Sequence, residues 1–248
     1  MDKVLLVTGG SRGIGAATCR LAARQGWAVA VNYTANSLAA DAVVREVRAA
    51  GGRAIAVQAD VADEAQVLRM IEHIDAKLGR LSGLVNNAGV VDISARLDQM
   101  SVARWRRMFD INVIGTFVCT REAVRRMSTQ HGGAGGSIVN VSSAASRLGS
   151  PGQYVDYAAA KGAIDAFTIG MAKELGGEGI RVNAVRPGLI DTEIHASGGL
   201  PNRVKDLQHL VPMGRGGSAQ EVAESIVWLL SDAASYTTMS LIDVSGGR

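Results

Sequence analysis

Short runs of β-branched and aliphatic residues alternate along this chain with longer segments that carry apolar residues at helical spacing. Several of the short runs are apolar at consecutive positions, which is typical of strands that are covered on both faces. Because helical segments separate these strands, the pattern predicts parallel pairing with crossover connections. We therefore predict an α/β fold with a doubly wound parallel sheet of about seven strands, in a three-layer α/β/α arrangement.

The predicted strands are Lys3–Thr8, Trp27–Val31, Arg53–Gln58, Leu84–Asn86, Ser137–Ser142, Arg181–Val185 and Leu241–Val244. The predicted helices are Ile14–Gln25, Ser37–Ala50, Glu64–Lys77, Val102–Ser128, Val155–Gly176 and Ala219–Leu230. In sheets of this kind, ligands bind outside the carboxyl ends of the strands. Residues that directly follow a strand are therefore the candidates for a functional site.

The chain has 248 residues, of which 47% are hydrophobic and 20% are charged, and these values exclude disorder. No repeat or change of composition divides it, so we predict a single domain over residues 1–248. The net charge of +3 does not indicate nucleic acid, and no apolar run approaches the roughly 18 residues of a membrane span. Cys19 and Cys119 indicate neither a disulfide framework nor a metal site. We expect a cytoplasmic protein.

Residues 188–213 show weak periodicity and contain three glycines and two prolines. A long irregular segment in a compact domain is usually functional or disordered, so we predict a lid over a substrate site. His195 lies in this segment, where it either touches a substrate or is an exposed loop histidine. The glycine-rich run at 131–136 directly precedes a predicted strand, and we interpret it as a loop.

The first predicted strand leads into a glycine-rich turn, Thr8-Gly9-Gly10-Ser11-Arg12-Gly13-Ile14-Gly15, and then into an apolar helix. Free N–H groups and aligned peptide dipoles at the start of such a helix form a site for an anion such as a pyrophosphate. Side chains at Gly9, Gly13 or Gly15 would block either the phosphate or the packing of helix on strand. The spacing differs from the common dinucleotide fingerprint, and an ordinary tight turn is the alternative.

The end of the second predicted strand bears on which nicotinamide cofactor would bind. A carboxylate there would bond the ribose hydroxyls and repel a 2′-phosphate, but this strand ends in Asn32, Tyr33 and Thr34. Arg12 in the glycine turn is a candidate partner for that phosphate, and a solvated turn arginine is the alternative. Neutral donors and one arginine favour NADP over NAD.

Two further strand ends carry polar side chains. Asp60 and Val61 follow the third predicted strand, where the carboxylate accepts from an adenine amino group or caps a helix, a role open to Asp63 as well. Asn86-Asn87-Ala88-Gly89 ends the fourth strand. Its small residues would let the backbone approach a ligand while its amides tie strands together, and an asparagine turn is the alternative.

Tyr157 and Lys161 lie at positions i and i+4 of a predicted helix and therefore share one face. A nearby ammonium favours the tyrosinate and would shift the tyrosine pKa towards the working range of a general acid or base. Taken alone, such a pair is more often a surface pair. However, Ser142 and Ser143 end the preceding strand, and Asn112 is an amide on an otherwise apolar helix, where it needs partners or caps a kink.

Together, these residues resemble the signature of the short-chain dehydrogenase/reductase family, over essentially the whole chain. The resemblance implies a Rossmann-type fold and hydride transfer between a nicotinamide cofactor and a carbonyl or alcohol. Among bacterial members, the chain is most similar to enzymes of the glucose 1-dehydrogenase and 3-oxoacyl-acyl-carrier-protein reductase groups. The matching features are the turn from Thr8 to Gly15, Asp60, Asn86-Asn87-Ala88-Gly89, Asn112, Ser142-Ser143, Tyr157-x-x-x-Lys161 and Arg186-Pro187-Gly188.

The resemblance implies a catalytic tetrad of Asn112, Ser143, Tyr157 and Lys161. Tyr157 would exchange a proton with the substrate oxygen, which Ser143 would also bond. Lys161 would lower the tyrosine pKa and bind the nicotinamide ribose, and Asn112 would hold a water that links Lys161 to solvent. We prefer Ser143 to Ser142 because two alanines follow it.

The predicted cofactor contacts combine the strand ends, the tyrosine–lysine pair and the segment that resembles the family's clamp on the nicotinamide carboxamide. They are Gly9, Ser11, Arg12, Gly13, Ile14, Gly15, Asn32, Tyr33, Thr34, Asp60, Val61, Asn87, Ala88, Gly89, Tyr157, Lys161, Pro187, Gly188, Ile190 and Thr192. No metal is expected, because His73, His131, His195 and His209 show no ligand spacing.

The family is typically tetrameric, so we expect a homotetramer or a homodimer that uses the helices of Asn112 and Tyr157. Met239 stands where related chains usually have glycine, which bears on subunit contacts there. The middle helix carries a basic stretch that we interpret as a solvated face, with a docking patch for an acidic carrier protein as the alternative. Its arginines are Arg104, Arg106, Arg107, Arg121, Arg125 and Arg126.

Two functions stay open: an enzyme, and a dinucleotide-binding regulatory protein of the same fold without turnover. The complete tetrad favours the enzyme, since a sensor has no need of the tyrosine–lysine pair. Its small-molecule substrate could be a sugar, a 3-oxoacyl thioester or a small ketone. We expect the pocket to be built mainly from residues 90–97, 146–154 and 190–210.

Overall fold

The structure is a computed structural model that describes residues 3–248. Its strands are β1 (Val4–Val7), β2 (Ala28–Tyr33), β3 (Ala54–Gln58), β4 (Gly83–Asn86), β5 (Gly136–Val141), β6 (Ile180–Pro187), β7 (Ile190–Asp191), β8 (Gly217–Ser218) and β9 (Leu241–Val244). Its α-helices are α1 (Gly13–Arg24), α2 (Ser37–Ala49), α3 (Glu64–Lys77), α4 (Val102–Phe109), α5 (Gly115–Met127), α6 (Ala145–Leu148), α7 (Val155–Leu175), α8 (Ile194–Ser197), α9 (Arg203–Leu207) and α10 (Ala219–Leu230).

Seven parallel strands form the central sheet in the order β3-β2-β1-β4-β5-β6-β9. The predicted doubly wound parallel sheet is therefore confirmed. The strand order reverses between β1 and β4, and the carboxyl ends of these strands flank the crevice where such sheets bind ligands. A separate pair, β7 and β8, is also parallel. Within residues 3–248, no helix is long and apolar enough to cross a membrane.

Two apolar layers cover the two faces of the sheet. Leu5 and Val7 of β1 pack with α1, α2 and α10, whereas Val4 and Leu6 pack with α3, α5 and α7. All four residues of β1 are at most 1% exposed, so the consecutive apolar run reflects burial on both faces. This packing holds the carboxyl ends of the strands in place, and the site is built from the residues at those ends.

Helix starts follow the local chemistry of the chain. The side chains of Asn36, Asp63, Ser101 and Ser218 each accept from a backbone N–H in the first turn of α2, α3, α4 and α10. Asp63 is therefore the helix cap, whereas Asp60 accepts from the amide of Ala62 at 3.0 Å.

The helix predicted over Val102–Ser128 runs from Val102 to Met127, but it is not regular as predicted. A wide π turn over Asp110–Ile114 separates α4 from α5. Within it, the side-chain amide of Asn112 donates to the carbonyl of Met108 at 2.9 Å, and the hydroxyl of Thr116 donates to the carbonyl of Asn112 at 3.2 Å. In a regular helix, these carbonyls would accept from backbone N–H groups, but here they accept from side chains. Such wide turns frequently occur at functional sites.

The segment 188–213 is more regular than its weak periodicity predicts. It contains β7, α8 and α9, and β7 is anchored by pairing of Ile190 with Gly217 and of Asp191 with Ser218. Its role as a lid stays a prediction.

Met239 adopts a left-handed backbone conformation, with φ of 64°. Its amide donates to the carbonyl of Val182 at 2.8 Å, and its side chain is 44% exposed. The conformation explains why glycine suits this position, because a side chain there clashes with the following carbonyl.

We expect Met239→Gly to raise the free energy of unfolding by about 1 kcal/mol, because relief of left-handed strain outweighs the greater freedom of glycine in the unfolded chain. Thermal unfolding should show a midpoint about 2–4 °C higher. Met239→Ala, which removes the same exposed side chain but keeps a Cβ, is the matched control. Equal stabilisation by both variants would show that the side chain, not the backbone, carries the strain.

Candidate active site

The glycine turn before α1 is closed so tightly that a side chain does not fit. A Cβ on Gly15 would lie 2.4 Å from the carbonyl oxygen of Gly9 and 2.6 Å from the side-chain nitrogen of Asn87. Gly9 and Gly13 have φ of 60° and 51°, in the region that favours glycine. Arg12, the N-cap residue of α1, makes no side-chain capping bond. The first amides of α1 therefore remain suited to an anion.

The side chains of two asparagines hold this turn. Asn32 accepts from the amide of Gly9 at 3.1 Å and donates to the carbonyl of Ala59 at 3.0 Å. Asn87 donates to the carbonyls of Thr8 and Gly9 at 2.9 and 3.0 Å. Asn32 is 1% exposed, so the structure does not place its side chain as the predicted cofactor donor. Its amide instead fastens the turn to β2 and to the chain after β3.

The other residues predicted for this end differ in exposure. Arg12 and Thr34 are exposed, Tyr33 and Asp60 are half-buried, and Val61 is buried. A Cβ on Gly115 would lie 2.7 Å from a methyl carbon of Val61, so Val61 packs against the start of α5. Arg12, Thr34 and Asp60 are thus accessible to a ligand, whereas Val61 can offer only its backbone.

A cleft of about 470 Å³ opens at the carboxyl ends of β4, β5 and β6. It brings together many of the predicted residues: Ile14, Asn87, Gly89, Ser143, Tyr157, Lys161, Pro187, Gly188, Ile190 and Thr192. All three chain segments expected to build the pocket contribute to its wall, for example through Val91, Gln153 and Leu207. The remaining predicted residues lie outside this wall: Gly9, Ser11, Arg12, Gly13, Gly15, Asn32, Tyr33, Thr34, Asp60, Val61, Ala88 and Asn112.

Tyr157 and Lys161 lie on the same face of α7. The Lys161 Nζ atom is 5.5 Å from the centre of the Tyr157 ring and donates to the carbonyl of Val141 at 2.7 Å. Burial raises the pKa of Tyr157 to about 12, partly offset by a hydrogen bond with Ser143, and lowers the pKa of Lys161 to about 8. Desolvation therefore has the largest effect on the pKa of Tyr157, and the lowering of that pKa by Lys161 stays a prediction.

The two serines after β5 point to different sides, as successive strand residues do. Ser142 donates to Asp165 at 2.6 Å and to the carbonyl of Lys161 at 3.2 Å, and it is buried. Arg186 donates from Nε to the other oxygen of Asp165 at 3.0 Å. Both serines border the cleft, but Ser143 is the one that hydrogen-bonds with Tyr157. This arrangement agrees with the choice of Ser143 for the substrate oxygen.

Asn112 fastens the loop after β4. Its Nδ2 donates to the carbonyl of Val90 at 3.1 Å, and its Oδ1 accepts from the amide of Val90 at 3.2 Å. A Cβ on Gly89 would lie 2.7 Å from this Oδ1 and 3.6 Å from the Lys161 Nζ atom. Asn112 is thus a backbone clamp beside Lys161, the structural alternative considered for it, and its water-holding role stays a prediction.

A buried ion pair fixes the start of α7. Arg104 donates from Nε to Asp156 at 2.7 Å and from Nη1 to the carbonyl of Ile93 at 2.6 Å. The other Asp156 oxygen accepts from the amide of Tyr157 at 2.9 Å. The side chains of the pair are only 10% and 2% exposed. For Arg104, the predicted solvated face is therefore wrong.

Other arginines of the basic stretch are also paired. Glu122, whose side chain is 2% exposed, accepts from Arg121, Arg125 and Arg126. A solvated face therefore describes only part of this stretch, chiefly Arg106 and Arg107.

Three residues of the cleft wall were not singled out from the sequence, although Tyr154 and Arg203 lie in segments expected to build the pocket. Tyr154 is buried and donates to the carbonyl of Gly198 at 3.1 Å, and Arg203 and Arg248 also line the cleft. No motif marks these residues, because they come from distant parts of the chain and meet only in the folded structure. Within residues 3–248, no group of three or more His, Cys, Asp or Glu side chains is arranged to hold a metal ion.

Comparisons with known proteins agree on one family. Residues 9–248 match the sequence model of a family described as enoyl-(acyl carrier protein) reductase. The uncharacterised oxidoreductase YgfF of Escherichia coli is 55% identical over 245 residues, which cover 99% of each chain. A 3-oxoacyl-[acyl-carrier-protein] reductase of Synechocystis is 42% identical over 246 residues, which cover 99% of this chain and 96% of the relative.

A solved structure agrees with these matches. A doubly substituted short-chain dehydrogenase/reductase from Serratia marcescens superposes with a TM-score of 0.91 at 35% identity, over 100% of this chain and 98% of that chain. With the parallel sheet and the cleft at its carboxyl edge, these matches show that the chain belongs to the short-chain dehydrogenase/reductase family of oxidoreductases.

Proposed function

We propose that the protein transfers a hydride between a nicotinamide cofactor, with NADPH preferred to NADH, and a carbonyl or alcohol substrate, with Tyr157 as the general acid and base. One observation carries this proposal. A single cleft extends from the start of α1 and Thr192 to Tyr157, Lys161 and Ser143. A regulatory protein without turnover would not need a proton donor and a buried cation in the same cleft.

The glycine turn supports binding of the nucleotide. Gly13 lies opposite the side chain of Thr192 and has a φ of 51°, which favours glycine, and its lack of a side chain would leave room for a phosphate. The uncapped amides of α1 would bind the pyrophosphate, and Thr192 would close over it. Lys161 would bind the nicotinamide ribose, and Pro187 to Ile190 would orient the ring. When bound, the cofactor supplies or accepts the hydride.

The protein's own groups would move the proton. With a pKa of about 12, Tyr157 is protonated at neutral pH and can donate to the carbonyl oxygen in the reduction direction. Lys161, with a pKa of about 8, carries its charge at neutral pH and would stabilise the tyrosinate that forms. Ser143 would hold the substrate oxygen where charge develops.

We also propose that the protein is a homotetramer or homodimer. Phe117 of α5 and Phe167 of α7 stack with ring centres 4.0 Å apart, and Phe117 is 38% exposed. Val118, Val124 and Met171 extend the apolar surface around them. A subunit interface would cover these side chains. The cytoplasmic location stays a prediction.

Replacing Tyr157 with phenylalanine should lower kcat for carbonyl reduction by about a hundredfold to ten-thousandfold, because the proton donor is lost. The affinity for NADPH, measured by its fluorescence, should stay within about threefold, since the ring remains. Tyr236→Phe removes the same atom from a fully exposed ring and serves as the control. Full turnover by Tyr157→Phe would contradict the assignment.

Replacing Ser143 and replacing Ser142 should affect different properties, turnover in the first case and stability in the second. Ser143→Ala should lower kcat by about a hundredfold with little change in stability, because a transition-state hydrogen bond is lost. Ser142→Ala should instead lower the free energy of unfolding by about 1–3 kcal/mol, because Asp165 loses a buried donor. Steady-state kinetics and urea unfolding measure the two effects. The opposite order would transfer the catalytic role to Ser142.

NADPH should bind more tightly than NADH in fluorescence titrations. Arg12→Ala should lower the affinity for NADPH by about tenfold or more, because one charge-assisted bond to phosphate is lost, and should leave the affinity for NADH unchanged. Arg24→Ala removes an exposed arginine at the other end of α1 and serves as the control. Tighter binding of NADH by the native protein would overturn the proposed preference.

A further inference from the structure

Arg203 of α9 is a half-buried cation in the wall of the cleft. Its Nη1 donates to the side-chain oxygen of Gln153 at 2.7 Å, and its guanidinium carbon lies 5.3 Å from the centre of the Tyr154 ring. Gln153 directly precedes the turn into α7, four residues before Tyr157. The guanidinium is therefore held beside the same wall that presents the proposed proton donor.

This cation has no acidic partner among residues 3–248. Arg203 hydrogen-bonds to a neutral amide, and none of the residues that line the cleft is an aspartate or a glutamate. The neighbouring charged or titratable groups are Arg248, His195 and Tyr154. Burial is the main reason that the pKa of Arg203 is lowered; Tyr154 acts to raise it, and the charge of Arg248 acts to lower it. Holding a half-buried charge without a counter-charge is unfavourable, and a bound anion would relieve it.

The geometry of the guanidinium also suits an anion. An arginine presents five N–H donors in a planar fork, and Gln153 accepts from only one nitrogen of the three. The remaining donors can bind a carboxylate or a phosphate in a bidentate manner. The stack on Tyr154, whose hydroxyl is itself held by Gly198, limits the directions that the fork can take.

We infer, building on the proposed function, that the substrate carries an oxyanion, a carboxylate or a phosphate group, which Arg203 binds while the carbonyl lies at Tyr157. The substrate class is therefore an oxo acid or hydroxy acid, or the corresponding phosphate or phosphonate, with a short apolar spacer. Val91, Leu207 and Leu210 of the same wall supply apolar surface for that spacer. Arg203 acts in binding and takes no part in proton transfer.

The test compares 4-oxopentanoate and 5-oxohexanoate with their methyl esters, and with oxoalkyl phosphonates of equal length. In the native protein, kcat/KM should be about tenfold to a hundredfold higher for the anions than for the esters, as a charge-assisted hydrogen bond predicts. Arg203→Gln should remove this preference by raising KM for the anions. Their kcat, and kcat/KM for the esters, should change by less than about threefold. The phosphonates reveal which oxyanion fits better.

Lys205→Gln is the matched control, because Lys205 is an exposed cation on the same short helix and does not line the cleft. It should leave the preference unchanged. Equal use of acids and esters by the native protein would overturn the inference. A similar loss for acids and esters in Arg203→Gln would also overturn it, because a brace for the lid would act on both.

Binding of hexanoate, which has no carbonyl to reduce, separates this inference from the proposed function. Saturation-transfer NMR should detect hexanoate on the native protein and on Lys205→Gln, but not on Arg203→Gln. If hexanoate binds in this manner while no carbonyl or alcohol compound is turned over with either cofactor, the proposed function fails and the anion site stands. If ketones are turned over and hexanoate does not bind, the anion site fails and the proposed function stands.

Discussion

The close approach of α1 to the end of β1 is the constraint on which the rest of the molecule depends. Gly15 lies against the carbonyl of Gly9 with no room for a methyl group, and Asn32 and Asn87 tie the same turn to the chain after β3 and to β4. This contact sets where α1 begins. It thereby also sets the shape of the crevice between β1 and β4 and the depth of the cleft. The proposed phosphate site and the proposed catalytic residues then share one edge of the sheet.

The orientation of α7 is fixed at two points by buried carboxylates. Asp156 pairs with Arg104 near the first turn, and Asp165 pairs with Arg186 further along. Tyr157 and Lys161 lie between them, so rotation of the helix would break an ion pair before it moved the phenol. Removing one partner of a buried ion pair costs much free energy. These two pairs therefore hold α7 in position as well as stabilising the fold.

The sequence was sufficient for the sheet, because β1 and its neighbours are apolar at consecutive positions and only burial on both faces explains that. It was also sufficient to gather Ser143, Tyr157 and Lys161, since strand ends converge at one edge. The sequence did not predict the wide turn in the middle helix. There the side-chain amide of Asn112 donates to the backbone carbonyl of Met108, and the spacing of apolar residues carries no information about such a bond. It assigned Asn32 to a ligand because an exposed and an inward-facing amide look alike in sequence. Arg203 lay within a segment expected to build the pocket, but no motif singled it out, because its contact with Gln153 joins chain segments about fifty residues apart.

The wide turn at Asp110–Ile114 has a consequence for how this chain tolerates insertions and deletions. Each residue of a regular helix advances the direction of the side chains by about 100°, so a turn with one residue more resets the phase between α4 and α5. Removing one residue there would rotate α5 relative to α4 and swing Cys119, Ala123 and Met127 away from the sheet they cover. The extra residue thus acts as a spacer that lets one continuous helix contact two unrelated surfaces, the loop after β4 and the hydrophobic layer over the sheet.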